Sequence, residues 1–259
     1  MIIQRLTDFI WVGLDSVLNE AHIKQVARIF YALRTSLEKL RFYYENLKPA
    51  ANLPAPSRYF PYFTTYLDGG KVVQFKYVGF LEDGLDCTTL RARTCGHPAQ
   101  DIVVKFVDHY GEGAHRLLAE KGLAPSLLYY GSPRLDKKLE PYHSLFMVVM
   151  DYIDGDTLAF AKKEKRLDEK TTQSVRSEVQ RAIELLHLSG LVFGDLRSPN
   201  VMITKANKVK LIDFDWAGEE GQAKYPSLIS SDIKWAAGVE ALGVIKKDHD
   251  MEMLNRLFH

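Results

Sequence analysis

The sequence predicts an α+β protein in which a long N-terminal helix precedes a strand-rich half and then a helix-rich half. Apolar residues recur at helical spacing before residue 48, and short β-branched runs separated by turn residues fill residues 70–151. Helical spacing returns after Gly155. The class assignment depends on the order of these three regions.

The N-terminal region is predicted to form one helix over residues 14–47, because residues 14–48 contain neither Gly nor Pro. Its apolar positions recur at three- and four-residue steps: Ile23, Val26, Phe30, Leu33, Leu37, Leu40, Tyr44 and Leu47. We expect this stripe to pack against the rest of the same chain. Since it nearly keeps a heptad, a homodimer through the helix is the alternative. Prolines between residues 49 and 61 then predict a linker and a domain boundary at residue 60.

The elements that follow are predicted from the spacing of apolar residues and from the Gly, Pro and polar turn residues that bound them. Strands are predicted over residues 71–81, 87–94 and 101–107, then a helix over 110–121 that Gly122 ends, and strands over 127–130 and 145–151. A helix over residues 171–189 stops at Gly190, and strands over 201–204 and 209–212 flank a turn. The first half is therefore predicted to be a sheet with one helix inserted.

Composition limits the classes of partner and compartment. The chain has 34 Lys and Arg against 33 Asp and Glu residues, a net charge of +1, so we expect no nucleic-acid partner. No window approaches 18 uninterrupted apolar residues, so we expect no membrane span. The two cysteines, Cys87 and Cys95, do not make a disulfide framework and are predicted to be reduced. An intracellular, cytoplasmic protein is the expectation.

The segment over residues 191–218 concentrates the polar residues that suit chemistry. Asp195 and Asn200 lie between the predicted helix and the following strand, and Asp213 ends the next strand. Two carboxylates and an amide are thus expected to meet at the mouth of a hairpin. Oxygen ligands of this kind suit Mg²⁺, which also takes phosphate oxygens from a substrate.

These residues resemble the protein-kinase superfamily. Asp195–Leu196–Arg197–Ser198–Pro199–Asn200 resembles the D-L-x-x-x-N catalytic loop, and Asp213–Phe214 resembles the start of the DFG motif. Lys105, in V-V-K on a predicted strand, resembles the phosphate-binding lysine. The resemblance implies a bilobal kinase-like fold, with an antiparallel N-lobe sheet over residues 61–153 and a reduced helical C-lobe over 154–259. Residues 1–60 are a helical extension with a Pro-rich linker that it does not explain.

The resemblance also implies roles for single residues. Asp195 would accept or orient the proton of the acceptor hydroxyl, and Asn200 and Asp213 would hold Mg²⁺ on ATP. Lys105 would hold the ATP phosphates, and Arg197 would point toward the transferred phosphoryl group.

Adenine would be held by backbone groups at Asp151, Tyr152 and Ile153, which follow the last strand of the small lobe. Glu112 is the candidate to pair with Lys105, with Glu120 as the alternative. His115 is expected to serve packing or a local hydrogen bond.

Several positions depart from the family pattern. No G-x-G-x-x-G is present, although backbone amides over residues 82–86 would be placed to cover phosphate. Gly194 replaces the Arg before the base, and Asp215 replaces the glycine of DFG. The F-G-D loop and short tail resemble aminoglycoside and choline phosphotransferases, Rio-type kinases and kinase-like proteins of mushroom-forming fungi.

The function these observations predict is ATP- and Mg²⁺-dependent phosphoryl transfer to a hydroxyl of a protein or small molecule. Two alternatives stay open: a nucleotide-binding pseudokinase scaffold, and transfer of AMP from the same site.

Overall fold

The computed structural model of the protein describes residues 20–46, 63–81, 89–135 and 145–258. The chain separates into two compact units, residues 1–60 and 61–259. The predicted phosphate-covering residues 82–86 and Cys87 lie outside the described residues.

The first unit contains helix α1, Glu20–Glu45. Intrahelical ion pairs at i and i+4 support it: Arg34 with Glu38 at 2.9 Å and Arg41 with Glu45 at 2.7 Å. The apolar stripe is exposed, with Phe30 59% and Leu37 57% accessible to solvent. The ends of the predicted helix, residues 14–19 and Leu47, lie outside the described residues.

The second unit opens with a six-stranded sheet in the order β1-β2-β3-β4-β6-β5, in which every neighbouring pair is antiparallel. Its strands are β1 Thr65–Asp68, β2 Lys71–Phe80, β3 Thr89–Thr94, β4 Asp101–Val107, β5 Leu127–Gly131 and β6 Phe146–Asp151. Helix α2, Glu112–Glu120, lies between β4 and β5 in the chain. The apolar run of β4 buries Ile102, Val104 and Phe106, so Lys105 is carried by an interior strand.

The rest of the second unit is mostly helices and short hairpins. In chain order these are β7 Gly155–Thr157, α3 Leu158–Lys163, α4 Glu169–Leu188, β8 Leu191–Val192, β9 Val201–Thr204, β10 Val209–Leu211, β11 Gly218–Glu219 and α5 Lys247–Leu257. Helix α4 begins where the Asp168 carboxylate accepts a hydrogen bond from the Thr171 amide at 2.7 Å. Its apolar face is buried, including Val179 and Ile183.

One apolar core joins α2, α4 and α5 to the sheet and to the segment after β10, through residues such as Leu118, Ile183, Phe214 and Leu254. Because this core spans both halves of the unit, it fixes the loop after β8 and the loop after β10 against strand β4. The α+β class with an antiparallel sheet and an N-terminal helix is confirmed.

Candidate active site

The loop after β8 holds the predicted base in a fixed arrangement. The Asp195 side chain is buried, and Arg197 grips it with two parallel bonds, Nε to Oδ1 at 2.5 Å and Nη2 to Oδ2 at 2.7 Å. The Asn200 amide donates to the Asp195 backbone oxygen at 2.9 Å and to Oδ2 at 2.8 Å. Burial raises the pKa of Asp195 above its ordinary value, against the lowering effect of Arg197.

A buried carboxylate from α5 supports this loop from behind. Asp250 accepts hydrogen bonds from the backbone amides of Phe193 and Gly194, each at 2.8 Å, and lies 3.0 Å from His187 Nε2. The sequence analysis missed Asp250, because it lies 55 residues beyond Asp195 with no motif around it. Because it accepts two consecutive amides, Asp250 fixes the start of the loop that carries the predicted base.

The glycine before the base has a packing reason. Gly194 adopts a φ of +83°, a left-handed conformation that favours glycine. A Cβ there would lie 2.8 Å from Ile245 Cδ1, so the position admits no side chain without a shift. An arginine is thus excluded from position 194 by the segment that precedes α5.

Lys105 reaches the residues after β10. Its Nζ lies 2.5 Å from Asp213 Oδ1 and 2.8 Å from Asp215 Oδ1, and its side chain is only 11% exposed. The contact to Asp215 is an ion pair that lacks the alignment of a hydrogen bond. Asp213 itself has a φ of +68°, a left-handed backbone conformation that is uncommon outside glycine.

The charges of this triad shift one another. Burial would lower the pKa of Lys105, but the two carboxylates outweigh it and raise the pKa to about 12. Burial would raise the pKa of Asp213, yet Lys105 holds it below its ordinary value. Burial, aided by repulsion from Asp213, raises the pKa of Asp215 to about 7.

Helix α2 does not supply the predicted glutamate. Glu112 pairs with Arg116 at 2.8 Å on the exposed face, and Lys105 is bound by Asp213 and Asp215 instead. The predicted pairing of Glu112 with Lys105 is therefore not formed. The fallback Glu120 is exposed at the end of α2.

His115 occupies the inward position of α2. Its Nδ1 lies 2.6 Å from the Tyr110 hydroxyl and its Nε2 lies 2.9 Å from the Pro125 oxygen. Its ring stacks on Phe214, with centroids 4.5 Å apart. Burial lowers the pKa of His115 to about 4, so the ring is neutral near pH 7. The structure thus gives His115 the packing and local hydrogen bonds predicted from the sequence.

A cavity of about 460 Å³ opens in front of these residues. Its lining includes the three predicted adenine-binding residues, Asp151, Tyr152 and Ile153, together with Lys105, Asn200, Asp213, Leu81, Val103, Met150, Met202 and Ile212. A largely apolar cavity of this volume with a few polar side chains in its lining suits a nucleotide-sized ligand. Six of the predicted site residues therefore line this cavity. Asp195 and Arg197 adjoin it through the hydrogen bond from Asn200 to Asp195, and Glu112 is not part of the lining.

The donor set fits Mg²⁺ in the company of ATP. Because the Asn200 NH₂ group is turned to Asp195, its carbonyl oxygen is the atom left for a cation, and the Asp213 carboxylate lines the same cavity. Within the described ranges, no cluster of three or more His, Cys, Asp or Glu side chains is arranged to hold a metal. A cation here would need phosphate oxygens to complete its coordination, as Mg²⁺ does.

Comparison with known proteins shows similarity to protein kinases. Residues 134–244 match the family model described as "Protein kinase domain", a range that contains the catalytic loop, Asp213 and Asp215. The match covers less than half of the chain and supports a relation to the protein-kinase-like superfamily. Kinases of other organisms align with it at low identity, and all those compared below carry protein kinase names.

A probable cAMP-dependent protein kinase catalytic subunit of Encephalitozoon cuniculi is 26% identical over 161 residues, covering 60% of this chain and 50% of the relative. A probable serine/threonine-protein kinase KIN1 homolog of Enterocytozoon bieneusi is 24% identical, covering 58% and 25%. Serine/threonine-protein kinase ppk16 of Schizosaccharomyces pombe is 39% identical over 71 residues, covering 27% and 11%. The chain spans half or less of the length of these kinases. The finer resemblance to aminoglycoside, choline, Rio-type and fungal kinase-like proteins stays a prediction.

Proposed function

We propose that this kinase-like chain transfers a phosphoryl group from ATP, with Mg²⁺, to a hydroxyl of a protein or small molecule. The observation that carries the proposal is that Lys105, Asn200 and Asp213 line one nucleotide-sized cavity, with Asp195 hydrogen-bonded to Asn200 beside it. Phosphoryl transfer needs positioning and charge neutralisation more than covalent chemistry, and this set provides both.

Asp195 acts on the acceptor. Its carboxylate is held by Arg197 and Asn200, so an incoming hydroxyl meets an acceptor oxygen of fixed direction. Burial that raises its pKa improves it as a proton acceptor at neutral pH. Arg197, fixed on that carboxylate, brings its positive charge next to the position where charge develops on the transferred group.

Asn200 and Asp213 would hold Mg²⁺, which supplies neutralisation of phosphate charge when bound. Lys105 adds a second, protein-borne positive charge for the α- and β-phosphates. These three residues line the same cavity as Asp151, Tyr152 and Ile153.

The adenine end of the cavity is proposed to use Ile153. The backbone amides of Asp151 and Tyr152 are already bonded to the carbonyls of Ser126 and Asp101, at 3.1 and 3.2 Å. The Ile153 amide is then the group in this segment that we expect to donate to the adenine ring. Met150 and Met202 supply apolar lining for its faces.

The partners are ATP and an acceptor whose identity the site does not specify. We propose, in addition, that α1 pairs with a second copy of the chain through its exposed heptad stripe. No nucleic-acid or membrane partner is proposed. Within the described residues no helix is long and apolar enough to cross a bilayer.

The test compares two substitutions in one assay. Asp195→Asn should abolish transfer of labelled phosphate from ATP, by more than about 100-fold, while nucleotide affinity changes little, since Asp195 acts on the acceptor. Asp213→Asn should weaken the Mg²⁺-dependent part of ATP binding. Asp232→Asn, an exposed carboxylate outside the cavity, is the matched control.

Three outcomes separate the candidate functions. Loss of binding in both variants would contradict the separate roles. Binding of Mg-ATP by the unchanged chain with no transfer to itself or to an acceptor panel would favour a pseudokinase scaffold. Mass spectrometry that found added AMP in place of phosphate would favour nucleotidyl transfer.

A further inference from the structure

A buried ammonium needs an opposite charge that stays with it through the reaction. The Lys105 side chain is 11% exposed, and burial of an unpaired charge is costly. Two carboxylates lie on it, those of Asp213 and Asp215, at 2.5 and 2.8 Å. The question is which of the two serves Lys105 once nucleotide is bound.

Helix α2 does not supply a carboxylate for Lys105. Its first acidic residue, Glu112, is paired with Arg116, and its inward position is filled by the neutral ring of His115. His115 is also held between the Tyr110 hydroxyl and the Pro125 carbonyl, so it presents no negative charge to the lysine. The carboxylate for Lys105 must come from elsewhere.

Asp213 is the carboxylate that bound Mg²⁺ would draw away from Lys105. In the proposed function its carboxylate faces Mg²⁺, and a divalent ion competes for the same oxygens with an ammonium. Asp215 lies two residues on and is the other carboxylate in contact with Lys105.

The backbone holds Asp215 in place. Its carbonyl oxygen lies 2.6 Å from His109 Nδ1, and the neighbouring Phe214 carbonyl accepts from the Gly111 amide at 2.8 Å. A Cβ at Gly111 would lie 2.6 Å from the Ala217 backbone oxygen, which shows how closely the two segments meet. The loop that carries Asp215 is therefore fixed to the start of α2 on both sides of the residue.

We propose that Asp215 is the positioning residue for Lys105, replacing a helix carboxylate with one from the metal-binding loop. The proposal deepens the function above and rests on it for the part that concerns ATP. Asp215 does not touch the reacting atoms; it acts by holding the ammonium where the phosphates bind. The aspartate that departs from the family's glycine thus takes over the task that Glu112 does not perform.

The first experiment reads the position of Lys105 without nucleotide. Purified chains are treated with trinitrobenzenesulfonate, which reacts with neutral amines, and the rate of Lys105 modification is followed by peptide mass mapping. Because Asp213 still pairs with Lys105 when no nucleotide is bound, every variant is made in an Asp213→Asn background, which leaves Asp215 as the carboxylate in contact with the ammonium. In that background, Asp215→Asn should raise the rate several-fold, Asp215→Glu should stay near the background chain, and Asp232→Asn should have no effect. An unchanged rate in Asp215→Asn would overturn the proposal, whatever the chain's activity.

The second experiment separates positioning from simple repulsion. Removing a negative charge near phosphates would by itself tighten ATP binding, whereas loss of the lysine's partner should weaken it. We expect Asp215→Asn and Asp215→Gly to raise the KM for ATP by roughly 10- to 100-fold, because the buried ammonium loses one of its two carboxylate partners, with a smaller change in kcat. Asp215→Glu should recover most of the loss.

Tighter or unchanged ATP binding in Asp215→Asn, with circular dichroism showing a folded chain, would count against the positioning role. If the unchanged chain bound no ATP, the proposed function would fail, and the amine-reactivity result would still decide whether Asp215 holds Lys105.

Discussion

At the scale of single residues, Asp250 is the side chain on which the catalytic loop depends most. It accepts two consecutive backbone amides, so Asp250→Asn leaves at least one of them facing an NH₂ donor. We expect the free energy of unfolding to fall by about 1.5–3 kcal/mol, the range for hydrogen bonds to a charged group. The kcat should fall with little change in the KM for ATP, because this loop carries the proposed base Asp195 and none of the residues proposed to bind adenine.

Asp248→Asn is the matched control for Asp250, since it lies on the same helix and is exposed. Chemical denaturation and steady-state kinetics on both variants make the comparison. Equal behaviour of the two variants would remove Asp250 from its proposed role.

His115 makes a second residue-scale prediction, on pH. Its pKa is about 4 in the folded chain, below the ordinary value of 6.5, because burial and the nearby Arg116 charge lower it more than the hydrogen bond to the Pro125 carbonyl raises it. The unfolded chain then binds the proton more tightly, so stability from this group is present above pH 6.5 and is lost as pH falls toward 4. The expected loss between pH 7.5 and 5 is roughly 2 kcal/mol.

Denaturant unfolding at the two pH values, with His115→Gln beside the unchanged chain, isolates this effect. Gln keeps polar atoms but does not titrate, so the His115 part of the pH dependence should vanish while stability at pH 7.5 falls through lost packing. The same slope in both chains would show that other groups carry it.

At the scale of elements, the sequence predicted the longer strands well and missed the shortest ones. The run D-I-V-V-K-F-V and the hairpin after the catalytic loop carry enough β-branched residues to be read directly, and β4 and β9 have the predicted bounds. Strand β1 has only four residues and becomes a strand through its pairing with β2. Helix α5, K-D-H-D-M-E-M-L-N-R-L, has too few apolar positions to be predicted without its neighbours.

In the candidate site, too, the residues close together in the sequence were predicted and the distant partner was not. Asp195, Asn200 and Asp213 lie within 19 residues of one another and could be read as one local motif. The partner of Lys105 lies more than 100 residues away along the chain, so its identity depends on which segment reaches β4. The sequence offered Glu112 by analogy, and the position of α2 decided against it.

Helix α1 gives the prediction that belongs to this scale. Its positions 23, 26, 30, 33, 37, 40 and 44 alternate three- and four-residue steps, and those with large side chains are exposed. A stripe of period 3.5 faces one partner helix along its length, so we expect a dimer through two copies of α1. Leu37→Glu should weaken it by 10-fold or more, since burying one leucine contributes roughly 1.5–3 kcal/mol.

Sedimentation velocity over a concentration series measures this dimer, and Lys39→Glu, off the stripe, is the control. Deletion of residues 1–48 should leave a monomer of the second unit. A monomeric full chain at all concentrations would contradict the dimer. Aggregation of the truncated chain with a loss of several kcal/mol of stability would favour the stripe's burial within its own chain.

At the scale of the whole molecule, the segment between Asp215 and α5 is the one whose order a regulatory phosphate would affect. It is already ordered: the Tyr225 amide donates to the Gly243 carbonyl and the Ile245 amide to the Ala223 carbonyl, each at 2.9 Å. Tyr225 and Ile245 are buried in a second apolar cluster. A phosphate is not needed to order a loop that hydrogen bonds and apolar burial already hold.

The arginine that would pair with such a phosphate is also replaced, by Gly194. In switchable protein kinases an arginine directly before the base pairs with the phosphorylated loop, and here Gly194 packs against Ile245 in that position. Arg197, the nearest arginine in the loop, is committed to Asp195. Among the hydroxyl residues of the segment, Tyr225 is 2% exposed with its hydroxyl 3.0 Å from His249, so a kinase could reach it only by opening the cluster.

We therefore expect activity that does not depend on phosphorylation of the segment after Asp213. Purified chain treated with phosphatase should keep its ATP turnover to within about twofold, because adding or removing surface phosphate changes no contact that holds Asp195, Asp213 or Lys105. Ser227→Ala, Ser230→Ala and Ser231→Ala should behave like the unchanged chain. A large drop on dephosphorylation, restored by rephosphorylation at Tyr225 or at one of these serines, would show that the ordered segment still has a second, inactive arrangement that phosphate disfavours.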